Sequence, residues 1–292
     1  MSEKKKAKKS GRIAVPFLVT IFVGLIIIGG FALWLWNYLD YGKEKKPPVP
    51  TARNTYTATK EDNHTVLFIL NEPDKDCSST FVLMRSLPMK KKMLFIGIPT
   101  NTISVIDGEQ QSLSGSYERG DAPAAVAFVQ EALGVSIDRY MKFDSDSFKK
   151  LCDIFGGVTY PVDVDIAGIR KGQAQQLNSV QIENFITYPL FKDGESERAF
   201  IAASVISSMI NQTDGERIAD SFDRNFDIII NMTTSDITSV DKKNRGPAIK
   251  DMFRYGSSLS IAMLMDGTIS EKDFIPSSSF IENLPDQYFE DQ

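Results

Sequence analysis

Histidine and cysteine are the scarce residues of this 292-residue chain, which has one His, His64, and two Cys, Cys77 and Cys152. A single imidazole leaves no His cluster for a metal and no His-based nucleophilic triad. Two thiols cannot build a disulfide framework or a four-ligand zinc site. They are compatible with one bridge in an oxidising compartment or with two buried thiols, and sequence supplies no separation to decide. Positive charge is also scarce once the first dozen residues are set aside. Lys4, Lys5, Lys6, Lys8, Lys9 and Arg12 against Glu3 make residues 1–12 formally +5, so a chain of net charge −5 carries −10 in the remainder. An acidic body of that kind repels a phosphate backbone, which excludes nucleic acid as a partner.

What is present is ordinary for a folded protein, with 42% hydrophobic and 24% charged residues, and rules out wholesale disorder or a multi-span transporter. Residues 13–39 contain no charge, and 17–35 are nearly all Val, Ile, Leu, Phe and Gly. About 20 apolar residues span a bilayer as a helix. The preceding basic cluster keeps residues 1–12 cytoplasmic by the positive-inside rule, and Trp34, Trp36 and Tyr38 are placed as an outer aromatic belt. The stretch ends in Trp-Leu-Trp-Asn rather than the small residues of a cleavage site, so it reads as an uncleaved single-pass anchor. Residues 40–62, with Pro47, Pro48 and Pro50, read as a linker and stalk. A globular extracytoplasmic domain over 63–240 and a C-terminal extension over 241–292 complete the expected organisation.

Within the domain, residues 64–70, 81–84 and 93–98 are short apolar runs suited to buried strands. Helices are expected at 122–133, where Asp121 and Pro123 open and Gly134 closes, and at 144–155, closed by Gly156-Gly157. A strand over 158–166 and a helix over about 196–211 follow. Further helical candidates lie at 218–231, 235–240 and 248–255, and the acidic tail from residue 277 reads as loosely packed or extended. Strands alternating with helices define an α/β layered domain, a central mixed sheet covered by helices.

The order of these landmarks carries a resemblance. Ser78-Ser79-Thr80-Phe81-Val82-Leu83-Met84 precedes a strand ending Ile98-Pro99-Thr100-Asn101-Thr102, followed by Leu113-Ser114-Gly115-Ser116-Tyr117 and Val135-Ser136-Ile137-Asp138-Arg139-Tyr140. Residues 148–162 read Phe-Lys-Lys-Leu-Cys-Asp-Ile-Phe-Gly-Gly-Val-Thr-Tyr-Pro-Val, and Leu177-Asn178 is followed by Gln181. Over residues 63–240 this resembles the LytR-CpsA-Psr family of membrane-anchored proteins that attach glycopolymers to the bacterial cell wall. The resemblance implies binding of a polyprenyl-pyrophosphate-linked glycan and its transfer to peptidoglycan, with arginines and an aspartate-held Mg2+ neutralising the pyrophosphate.

This sequence departs at most of those positions. The family's Ser-Asp-Thr is Ser78-Ser79-Thr80 here, and its Ile-Pro-Arg-Asp-Thr is Ile98-Pro99-Thr100-Asn101-Thr102. Its Arg-x-Arg pair falls on Thr187 and Pro189, and of its Arg-x-x-Arg-Gln only Arg198 remains, with Ile201 and Ala202 at the other places. In the first loop Pro73 and Lys75 replace an Asp and an Arg, although a one-residue shift restores Asp74. A charge-assisted hydrogen bond contributes roughly 1.5–3 kcal/mol. Losing four or so arginines therefore removes about 6 kcal/mol even after discounting, more than four orders of magnitude in rate.

Arg198, Lys75, Thr100 and Asn101 are the candidate remnants of a phosphate or lipid-ligand site, and Asp74 the candidate metal ligand. Each also has a plain structural reading: Arg198 as a salt-bridged helix residue, Thr100 and Asn101 as strand-end turn residues. Asp163 and Asp165, two apart in the expected strand, either hold a cation or form a solvated face, and the Met263–Met265 segment and the many Phe either line a lipid pocket or pack a core. The expected function is a catalytically degenerate binding or scaffold protein of the cell envelope, recognising the membrane-borne polyprenyl-linked glycan, peptidoglycan or an active family relative. The alternative is an active Mg2+-dependent phosphotransferase using Arg198, Asp74 and Lys75.

Overall fold

In the computed structural model of the chain, residues 56–71, 79–106 and 108–290 are described. The expected anchor at 13–39, most of the stalk, and Asp74, Lys75 and Cys77 lie outside them. The three apolar runs form an antiparallel meander, β1 (His64–Asn71), β2 (Ser79–Leu87) and β3 (Lys92–Ile98), with β2 longer than expected. The turn between β2 and β3 closes through Lys91 in the left-handed region at φ 48°. A hairpin of β4 (Ile103–Ile106) and β5 (Glu109–Ser112) leads into α1 (Leu113–Leu133), and β6 (Arg139–Phe143) returns parallel to β1.

Next come α2 (Ser145–Phe155), the pair β7 (Val158–Pro161) and β8 (Ala174–Leu177), α3 (Ser179–Ile186), α4 (Gly194–Gln212) and α5 (Gly215–Met232). The chain closes with β9 (Thr234–Ser235), α6 (Ser239–Tyr255), β10 (Ser260–Met263), the hairpin β11 (Gly267–Ser270) and β12 (Asp273–Pro276), and α7 (Ser278–Tyr288). The main sheet has six strands in the order β10-β3-β2-β1-β6-β9, with parallel and antiparallel neighbours, so it is mixed.

Strand alternation splits the core into two layers. Val66, Leu70, Val82 and Phe95 point to one face, where they meet Cys152 of α2, Phe185 of α3 and Ala203 and Met209 of α4. Leu67, Ile69, Leu83 and Ile96 point to the other, against Phe128 and Val129 of α1 and Leu284 of α7. Burial on both faces is why the strands read as unbroken apolar runs. At Gly97 the sheet and α4 meet backbone to backbone, since a Cβ there would lie 1.7 Å from the Ala199 carbonyl oxygen. Any side chain at 97 must push the helix off the sheet.

Several expectations are corrected. The helix expected from residue 122 begins at Leu113, capped by Ser112, and bends where Gly120 and Asp121 leave helical geometry; Pro123 sits just past that bend, where its missing N–H costs nothing. The strand expected over 158–166 stops at Pro161, which has no N–H to extend the ladder, so Asp163 and Asp165 are not in a strand and both are exposed in a loop. Residues 235–240 are not one helix: Ser235 ends β9, and α6 starts only at Ser239, with Thr238 and Asp241 forming its capping box. The boundary expected at residue 240 falls inside α6, and β10 beyond it pairs with β3 in the main sheet.

The tail expected to be loose is helical. Leu284 and Phe289 are buried there, and the fully buried Arg85 donates to the Tyr288 carbonyl at 3.2 Å, with its guanidinium 4.8 Å from the Phe289 ring centroid. Acidic composition hid a helix whose apolar residues are few but well placed. Cys152 is a free thiol, fully buried in the core.

Candidate functional site

The motif residues converge where β3 ends, β2 begins and α4 starts. Arg198, in the first turns of α4, is 1% exposed. Its Nε donates to Glu195 Oε2 at 2.7 Å and one Nη to Glu195 Oε1. The remaining donors reach Thr80 Oγ1 at 2.6 Å, the Ser79 carbonyl at 2.9 Å and the Ile186 carbonyl at 3.2 Å. A guanidinium has five N–H groups in a rigid fork, and all five are directed at protein oxygens. Burial of the charge is tolerated because Glu195 answers it in two places.

Glu195 also fixes Thr100, whose backbone N–H and hydroxyl both donate to Oε1, at 3.0 and 2.9 Å. Thr100 thus closes the cluster from the β3 end rather than opening it to a ligand. Asn101 donates to the Lys272 carbonyl, and its Oδ1 is buried without a hydrogen-bond partner among the described residues. Sequence reasoning missed Glu195. The signal was an acid three residues before a helical Arg, which places both side chains on one face.

Three of the other substituted positions, 187, 201 and 202, are absorbed into the fold. Ala202 is fully buried and Ile201 packs against the core, while the Thr187 hydroxyl donates to the Glu183 carbonyl at 2.7 Å. Asn178 and Gln181 form a capping box: Asn178 Oδ1 accepts from the Gln181 backbone N–H at 2.9 Å, and the Asn178 backbone N–H donates to Gln181 Oε1 at 3.1 Å. That pair of the motif therefore starts α3.

Mg2+ favours a nearly octahedral shell of oxygens with one or two carboxylates. Among the described residues no three Asp, Glu, His or Cys side chains converge, and the carboxylate at this site is occupied by Arg198. The described residues do not fit the ion.

Between the sheet and the helices α2, α4, α5 and α6 lies an apolar cavity of about 210 Å³, with no member of the Arg198 cluster among its described lining residues. Its floor is Phe68, Met84, Phe95 and Phe143, its roof Leu151, Ile206, Met209, Phe222, Phe226 and Phe253, and of its described lining residues Asn225 alone is polar. A half-open space of that size with an almost wholly apolar lining suits a hydrocarbon group. The Met263–Met265 segment does not contribute: Met265 packs in the opposite core layer, and Met263 lines a separate pocket with Leu284. The cavity was illegible in the sequence because its Phe and Met look like core residues.

A central mixed sheet covered by helices is the architecture the motif order anticipates. The LytR_cpsA_psr family profile matches residues 44–265, and the chain belongs to this family. Among curated proteins it is 27% identical over 175 residues to the polyisoprenyl-teichoic acid–peptidoglycan teichoic acid transferase TagU of Bacillus licheniformis, covering 54% of each chain. It is 25% identical over 187 residues to the biofilm regulatory protein A of Streptococcus mutans, covering 54% of this chain and 45% of that one. The matches thus span about half the length of these relatives. Among solved structures the fold resembles a Eubacterium siraeum protein described as a putative transcription regulator, at TM-score 0.70 and 20% identity, over 78% of this chain and 92% of that one. It also resembles TagV of Bacillus subtilis, at TM-score 0.63 and 17% identity, over 80% and 98%. No helix among the described residues is long and apolar enough to cross a membrane.

Proposed function

We propose that this family member is a membrane-anchored, catalytically degenerate protein of bacterial glycopolymer assembly that holds a polyprenyl-pyrophosphate-linked precursor by its lipid chain without transferring the glycan. Residues 13–39 would anchor it, with the folded domain outside the cell. The observation that carries this reading is the pairing of two features. The apolar cavity beside the sheet is open to a hydrocarbon chain, while Arg198, the arginine left from the family's phosphate-binding set, has every donor committed to Glu195 and its neighbours. Stabilising charge that develops on a leaving phosphate needs donors free to turn to it. Such a protein presents or stores the carrier for an active relative.

The test is a titration of the full chain in detergent with a short polyprenyl pyrophosphate, with and without Mg2+, following both binding and phosphate release. Binding without release is expected. Mg2+-dependent release would overturn it in favour of phosphoglycan transfer through Arg198, Asp74 and Lys75. Absence of binding would move the search to peptidoglycan or protein partners.

A further inference from the structure

The apolar cavity shares two of its wall residues, Ile154 and Asn225, with a second, polar groove of about 440 Å³ between α2 and α5. This groove carries Lys150 from α2 and Arg217 and Arg224 from α5, against one carboxylate, Asp153. Arg217, Ser221 and Arg224 lie four and three residues apart, on one stripe of α5. Ile218, Phe222 and Phe226 form the adjoining stripe that faces the cavity, and Asn225 belongs to both. Asn225 donates to Ser221 Oγ at 2.8 Å, so the seam between the apolar and the charged space is itself polar.

Three of the four acids of α5 turn to the neighbouring helix rather than to this face. Asp220, Asp223 and Asp227 pair instead with Arg254, Lys250 and Lys242 of α6. Among the described residues Lys150 and Arg224 make no ion pair, and Arg217 makes only long hydrogen bonds, 3.3 Å to Thr213 Oγ1 and 3.4 Å to the Phe155 carbonyl. On a body that is otherwise acidic, three cations at the rim of a hydrocarbon-sized cavity are the complement of an anionic amphiphile.

We propose that the Lys150, Arg217 and Arg224 groove binds the phosphate headgroup of an amphiphile whose chain occupies the adjoining cavity, so that phosphate recognition has moved from the Arg198 cluster to the α2–α5 rim. This rests on the lipid-carrier reading above and assigns its charged end. The headgroup belongs to an isoprenoid pyrophosphate or to an ordinary anionic phospholipid, and the two are separable by competition.

The test uses the full chain in phosphatidylcholine nanodiscs, with geranylgeranyl pyrophosphate and uncharged geranylgeraniol as paired ligands. Wild type is expected to bind the pyrophosphate at least about tenfold more tightly than the alcohol, the scale of one charge-assisted contact. In Arg217→Gln/Arg224→Gln that gap collapses while affinity for the alcohol stays the same. Both substituted arginines are exposed, so the unfolding midpoint serves as a control. A gap that persists in the double variant overturns the proposal and leaves the carrier reading standing. Loss of neither ligand in Ile206→Trp, which fills the cavity, overturns both. Competition by phosphatidylglycerol at matching strength assigns the groove to bulk phospholipid; failure to compete assigns it to the isoprenoid carrier.

Discussion

Arg198 and Glu195, one turn apart on α4, are locked fork to carboxylate, and the same carboxylate holds Thr100 at the end of β3. The pair is therefore a staple joining β2, β3 and α4. Removing one partner of a buried ion pair strands the other charge, which costs about 3–5 kcal/mol. Arg198→Met and Glu195→Gln are each expected to destabilise by that amount in urea unfolding, and the double variant Arg198→Met/Glu195→Gln by clearly less than their sum. Additive losses would show that the two act separately.

Acid sensitivity has a second staple as its source. Burial pushes the Asp241 carboxyl up, but hydrogen bonds from Arg139 at 3.0 Å and from Thr238 outweigh it and hold the pKa at about 2, against an ordinary value near 3.8. A depressed folded pKa contributes stability that is complete above the unfolded value and is lost as pH falls from about 4 to about 2. The contribution is about 2 kcal/mol, and Asp241→Asn should flatten the stability profile in that window alone. An unchanged acid limb would refute the assignment.

Cys152 should be inert. Burial raises its thiol pKa to about 12, so almost no thiolate exists near neutrality. Alkylation at pH 8 is expected to leave Cys152 unmodified in the folded chain and to modify it in denaturant, as peptide mass mapping would report.

The C-terminal helix should be integral to the domain. Arg85→Met removes the donor to the Tyr288 carbonyl and the cation over Phe289, and truncation after Pro276 strips Leu284 from the core. Truncation is expected to cost at least about 3 kcal/mol, the scale of a lost large core side chain, and to raise susceptibility to protease. Equal stability of the truncated chain would return the tail to the status of an appendage.

Strand runs such as 64–70 and 93–98 were legible because burial on both faces leaves them uniformly apolar, and the helix closed by Gly156 because a left-handed cap at φ 95° suits glycine. The tail from residue 277 was misread since its helix is held by a distant arginine, a contact no local pattern encodes. At the site, sequence singled out Arg198 and Thr100 but not Glu195, the carboxylate that accepts hydrogen bonds from both. The cavity and its cationic rim were invisible for a different reason: a space is defined by what four helices leave unfilled, and residues such as Arg217 and Ile154 meet only in three dimensions.

The contact at Gly97 has a mechanical consequence. With the Gly97 backbone against Ala199, α4 cannot sink further toward the sheet without displacing β3, so that side of the cavity is closely packed. On the opposite side α5 and α6 meet just as closely, a Cβ at Gly215 falling 2.1 Å from the Phe253 carbonyl oxygen, and three ion pairs brace them into one plate. The chamber is thus walled by two units braced in different ways, one by a backbone contact that admits no side chain and one by ion pairs at its surface.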